Sequence, residues 1–150
     1  GALDAWLVIR GIKTLPLRME QHQKNAFAIA KWLQKQLRVQ YVLYPGLENH
    51  PGYVINKAQT TSFGGMISFA VDNAETARQI LEGVKLIKFA ESLGGTESLI
   101  TYPIRQTHTD LTAEECAEKG ITDCLLRFST GIEATQDLID DLAQAFAVIE

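Results

Sequence analysis

Arg127 is the residue in this sequence whose chemistry most needs a counterpart. It stands in the middle of CLLRFSTGIE, residues 124–133, a run that otherwise reads as a buried strand. On a period of two, Leu126, Phe128 and Thr130 share one side, while Leu125, Arg127 and Ser129 share the other. A guanidinium stays charged at physiological pH, so withdrawing it from water requires an anion beside it. Two answers fit. One is an internal ion pair with Glu91, Glu97 or Glu133. The other is the carboxylate of a bound ligand, which the planar fork would hold through two parallel hydrogen bonds. Spacing alone leaves both open.

The second unusual stretch is SLGGTESLITYP, residues 92–103. Its adjacent glycines permit positive φ and the close approach of a backbone or a ligand. A strand-end turn whose amides are satisfied by Glu97 and Ser98 accounts for it equally well. FGGMISF, residues 63–69, carries a second glycine pair, which a bulge or tight strand entry explains. His22, His50 and His108 are scattered and pair with no cysteine at ligand spacing, so no metal site is expected. Cys116 and Cys124 lack the C-x-x-C spacing and read as two free thiols in a reducing compartment.

The elements that must position these groups are legible in outline. LDAWLVIRGI (3–12) is helical in pattern but almost wholly apolar, as in a helix packed on more than one side. A second helix begins after Thr14, with Pro16 in its first turn, and carries a core stripe of Ala26, Ile29, Ala30, Leu33 and Leu37. Lys24, Lys31 and Lys35 mark its solvated face. VQYVLYPG then reads as a strand and turn, HPGYVINKAQ as a short helix, and the segment after Gly65 as a strand. Asp72 with Glu75 resembles a capping box ahead of a helix over 74–82, and VKLIKFA reads as another strand. After the irregular stretch, Thr112 and Glu115 form a capping box for AEECAEK, which Gly120 ends. The arginine strand follows, and then a helix with Leu138, Leu142, Ala145, Phe146 and Ile149 on one face.

This order predicts one α+β domain: a two-layer unit with a small, mainly antiparallel sheet and helices on one face. The sheet's other face is then free to meet a second domain, and Arg127 lies on that face. The 150 residues are enough for one core, and 46% apolar with 21% charged residues is ordinary for a globular chain. A net charge of −4 without a basic run argues against nucleic acid or an anionic membrane as partner. No apolar stretch approaches the roughly 20 residues of a membrane span. The chain shows no signal peptide and opens on Gly-Ala-Leu-Asp, which reads as a piece of a longer protein, one expected in the cytoplasm.

Taken together, the segments resemble the C-terminal domain of the Cys/Met-metabolism family of pyridoxal-phosphate enzymes. That family comprises cystathionine γ-synthases, cystathionine β- and γ-lyases and methionine γ-lyases of fold type I. The resemblance rests on DAWLVIRGIKTLPLRMEQHQKNA, YPGLENHPGY, FGGMISF, ESLGGTESLITYPIRQTH and GITDCLLRFSTGIEATQDLIDDLAQA, in the family's order. It implies that Arg127 binds the α-carboxylate of a sulfur amino-acid substrate, such as cystathionine or a homoserine ester. It also implies that Ser92 lies beside the cofactor and substrate carboxylate, and that Glu91 influences which substrate side chain is accepted. Thr107 matches a threonine on the pocket wall, although a plain turn hydroxyl explains it as well. The family's Schiff-base lysine sits in a Ser-x-Thr-Lys segment that this sequence lacks, and Lys13, Lys85 and Lys88 stand in the wrong context to replace it. The resemblance therefore implies the small domain of a homotetrameric, cytoplasmic parent, with pyridoxal phosphate bound mainly by a large domain outside this chain and no catalytic residue within it. A non-catalytic amino-acid-binding or regulatory module is the alternative.

Overall fold

The computed structural model describes residues 1–149. The chain forms α1 (Ala2–Ile12), α2 (Leu15–Leu33), β1 (Val39–Leu43), α3 (Tyr53–Gln59), β2 (Met66–Val71) and α4 (Ala74–Gly83). It continues through β3 (Lys88–Phe89), β4 (Leu99–Thr101), a single 3-10 turn (Pro103–Arg105), α5 (Ala113–Glu118), β5 (Leu125–Ser129) and α6 (Thr135–Ala147). The strands make one open sheet in the order β1-β2-β5-β4-β3, antiparallel except for the β3–β4 pair.

Alternation along the strands assigns two faces. Ile67, Phe69, Val71, Ile100, Leu126 and Phe128 point into the main core, where Ala26, Ile29, Ala30 and Leu33 of α2 meet Ala77, Ile80 and Leu81 of α4. Leu138, Leu142 and Phe146 of α6 complete that layer, and Trp32 packs edge-on against Phe146. Burying each such side chain contributes about 1.5–3 kcal/mol, so the helical layer fixes which way every strand faces. The opposite face carries Ser68, Arg127 and Thr101 side by side. One end of it is covered by a smaller cluster in which Ala70 and Leu125 meet Cys116 and Ile121 around α5.

The structure departs from the sequence expectations at five places. Leu37 lies beyond the end of α2 and is 97% exposed, because the helix gives way to turns after Leu33. The cap of α4 is Asn73, whose side chain accepts from the Thr76 amide, and not Asp72. VKLIKFA yields only the two residues of β3, since its first part wraps around a carboxylate from α6. SLGGTESLITYP holds a strand, β4, that its glycine-rich composition conceals. Finally, every residue of α1 is exposed, with Leu3, Trp6, Val8 and Ile9 among the large apolar side chains in contact with water. The apolar run folds into a helix, but its expected packing partners are not among the described residues.

Candidate functional site

Arg127 sits at the centre of β5, half-buried, paired across the sheet with Ser68 on β2 and Thr101 on β4. Its Nη2 donates to Thr101 Oγ1 at 3.2 Å. Its Nε is buried and has no hydrogen-bond partner among the described residues. None of the ion pairs among those residues includes Arg127. An internal ion pair with Glu91, Glu97 or Glu133, one of the two answers the sequence allowed, is therefore absent among the described residues. Glu133 is committed elsewhere: its carboxylate accepts from the Ser98 amide at 2.6 Å and the Ser98 hydroxyl at 2.9 Å. Among the described residues, Glu97 accepts only from Thr96 Oγ1, at 3.3 Å.

The segment from Ala90 to Ser98 explains why β4 runs parallel to β3. It turns back across the end of the sheet, with Gly94 at φ +75, a conformation that favours glycine. The Gly94 amide donates to Ser129 Oγ at 2.9 Å, fastening the loop to the strand that carries Arg127. The Ile132 amide donates to the Thr96 carbonyl at 2.9 Å, and the Gly131 amide donates to Ser98 Oγ at 2.8 Å. Gly131 has to be glycine for a different reason: a Cβ there would collide with the Thr96 carbonyl and the backbone of Glu97.

A polar lattice behind this loop sets its height over the sheet. Asn25 of α2 donates to the carbonyls of Gly131 (3.0 Å) and Glu133 (2.9 Å), and accepts from Thr135 at 2.6 Å. His22, also buried, donates from Nδ1 to the Thr130 carbonyl at 2.6 Å, since a carbonyl can only accept. Asp141 anchors the approach to β3 by accepting from the amides of Lys85, Leu86 and Ile87 at 2.9–3.2 Å. None of these roles was assigned from sequence. Asp141 was hidden because its partners are backbone amides more than fifty residues away.

Glu91 and Ser92 lie exposed at the start of the loop, immediately after Ala90. The structure brings that segment to Arg127 through one residue. Thr101 Oγ1 accepts from Arg127 and donates to the Ala90 carbonyl at 2.8 Å. Thr107 is not part of this arrangement by any hydrogen bond: its hydroxyl lies 2.7 Å from His108 Nδ1, within its own turn. Thr101 was missed in the sequence because β4 was missed. Once LIT is seen as a strand, alternation puts Thr101 opposite the arginine. Chemically, the site offers a cationic fork with a buried unpartnered N–H, next to an exposed polar segment, on a face that the three packing helices leave uncovered.

The family model described as Cys/Met metabolism PLP-dependent enzyme matches residues 1–147. A cystathionine gamma-lyase of Dictyostelium discoideum is 50% identical over 143 residues, which is 95% of this chain and 37% of that protein. A cystathionine gamma-synthase of Haemophilus influenzae is 51% identical over 144 residues, 96% of this chain and 35% of its own length. The crystal structure of cystathionine gamma synthase from Xanthomonas oryzae pv. oryzae in complex with cystathionine matches with a TM-score of 0.90 at 44% identity, covering 97% of this chain and 39% of that one. The chain thus spans little more than a third of the length of the curated relatives it matches.

Proposed function

We propose, from the premise that this chain belongs to the Cys/Met metabolism PLP-dependent enzyme family, that it is the substrate-carboxylate-binding C-terminal domain of a cystathionine lyase or synthase. The relatives named as gamma-lyase, beta-lyase and gamma-synthase are 50%, 48% and 51% identical to this chain, so the class of elimination or replacement stays open between them. The observation that carries the reading is the half-buried guanidinium of Arg127, which holds one hydroxyl and no carboxylate. An α-carboxylate supplies the missing acceptors and matches the fork. Holding a substrate by that group fixes rotation about its Cα before any bond is broken, which lowers the entropic part of the barrier. Ser92 and Glu91 are the residues we assign to the substrate beside it, and Thr107 to the pocket wall.

The family's cofactor, pyridoxal phosphate, supplies the electron sink for such reactions. The residues here do not fit the task of holding it. Lys13, Lys85 and Lys88 are exposed, and Lys88 Nζ donates to the Lys85 carbonyl at 2.8 Å. We assign the cofactor lysine to a large domain outside this chain. For the parent we propose a cytoplasmic homotetramer acting on cystathionine, a homoserine ester or a similar sulfur amino acid. No helix among the described residues is long and apolar enough to cross a membrane.

In the full-length parent, Arg127→Ala is expected to lower kcat/KM by about 2–5 kcal/mol, roughly 30- to 5,000-fold, as when one partner of a desolvated charge pair is lost. An unchanged kcat/KM with an intact fold would sink the assignment. The parent reading frame tests the domain assignment: a Ser-x-Thr-Lys segment should lie upstream of this chain. Tight unaided binding of an amino acid by the 150-residue chain would instead favour the non-catalytic binding module.

A further inference from the structure

We propose that Thr101 is a positioning residue for the substrate carboxylate, acting through Arg127; this rests on the reading of Arg127 given above. Thr101 is 1% exposed and lies directly across from Arg127 in the β4–β5 register. A hydroxyl has one proton to give. Thr101 commits it to the Ala90 carbonyl at 2.8 Å, so toward Arg127 Nη2, at 3.2 Å, it can only accept. The polarity of the relay is thereby set by the backbone at the end of β3. The branched Cβ restricts χ1, so the acceptor stays where the strand puts it.

Two consequences follow from this geometry. The guanidinium, tethered at Nη2, loses its freedom to swing about the outer torsions of a long side chain, while Nε keeps no partner among the described residues. The same hydroxyl binds the carbonyl that immediately precedes Glu91 and Ser92. Thr101 therefore fixes the spacing between the carboxylate receptor and the segment assigned to the rest of the substrate. Ser68, the neighbour on the other side, makes no hydrogen bond to Arg127 among the described residues, so the tether is one-sided.

The test uses the full-length parent and two probes that differ by one group: L-norleucine, and pentylamine, which is the same molecule without its carboxylate. Binding of each is measured by calorimetry, alongside the denaturation midpoint of every variant. Thr101→Val, which keeps the shape and removes the hydroxyl, should weaken L-norleucine roughly tenfold, the loss of a hydrogen bond to a charged group. Pentylamine should bind as before, and Thr101→Ser should restore L-norleucine to within about threefold, since the hydroxyl is retained. Should Thr101→Val not fold, Thr101→Ala carries the same comparison. Wild-type affinity for L-norleucine in the folded variant overturns the proposal, as does an equal loss for both probes. Arg127→Ala separates the two readings. If it leaves discrimination between the probes intact, the carboxylate assignment of Arg127 itself has failed. If it abolishes discrimination while Thr101→Val does not, only the role of Thr101 is lost.

Discussion

Asp141 and Arg127 are both charged, both withdrawn from bulk water, and handled in opposite ways. Asp141 is 7% exposed, and its carboxylate accepts from three consecutive backbone amides and from Gln144 Nε2. The chain has completed its coordination from within, and the result is structural: the segment 85–87 is held against α6, and β3 begins where that grip ends. Arg127 has one neutral acceptor and a buried N–H without a partner. An unmade hydrogen bond on a buried group is costly, and we propose that here a ligand carboxylate completes the site. On that proposal, the difference separates a charge used for folding from one kept for binding.

Substitutions test that contrast directly. The largest effect is expected at the completed site. Asp141→Ala orphans three amides at once and should cost about 3–5 kcal/mol of stability, even with some relief from entering water. Denaturant unfolding checks this, and a loss below about 1 kcal/mol would erase the distinction drawn here.

A second completed group gives a pH signature. The Tyr44 hydroxyl donates to the Gly64 carbonyl at 3.0 Å, and burial pushes its pKa up to about 12. Its folded pKa lies above the unfolded value, so its contribution is fully present below pH of about 10 and is lost as pH rises toward 12. The decline should amount to about 2–3 kcal/mol across that window, and Tyr44→Phe should flatten it. An alkaline unfolding titration of both proteins measures the effect.

Two smaller effects complete the series. Asn73→Ala should cost about 1 kcal/mol through loss of the α4 cap. Arg127→Leu should change the stability of the fold by no more than about 1 kcal/mol, because no internal charge pair is broken. A large destabilisation by Arg127→Leu, seen in the same unfolding assay, would mean that the fold depends on the guanidinium after all.

The parts of this structure that sequence revealed are those set by local pattern. β2 and β5 send Ile67, Phe69, Leu126 and Phe128 to the main core as their period predicts, α2 and α6 carry core stripes, and the Thr112–Glu115 capping box is formed reciprocally as expected. β4 was not legible, since three residues after a glycine pair become a strand only by pairing with β5 and β3. β3 was overextended for a related reason: the sequence shows VKLIKFA but not the distant carboxylate that bends its first half away. For the site, the demand of Arg127 for an anion was readable from its strand context. That no internal carboxylate meets it was not, because Glu133 is diverted to Ser98 by the close approach that Gly131 allows.

The exposed helix α1 has a practical consequence for handling this polypeptide. Leu3, Trp6, Leu7, Val8, Ile9 and Ile12 are each more than half exposed and share an eleven-residue rod, a concentration of oily surface that favours adhesion between molecules. In dilute solution the 150-residue chain should self-associate in a concentration-dependent way, whereas a version trimmed to begin at Thr14 should stay dispersed. Light scattering across a dilution series would distinguish the two, and detergent below its micelle concentration should rescue the longer one.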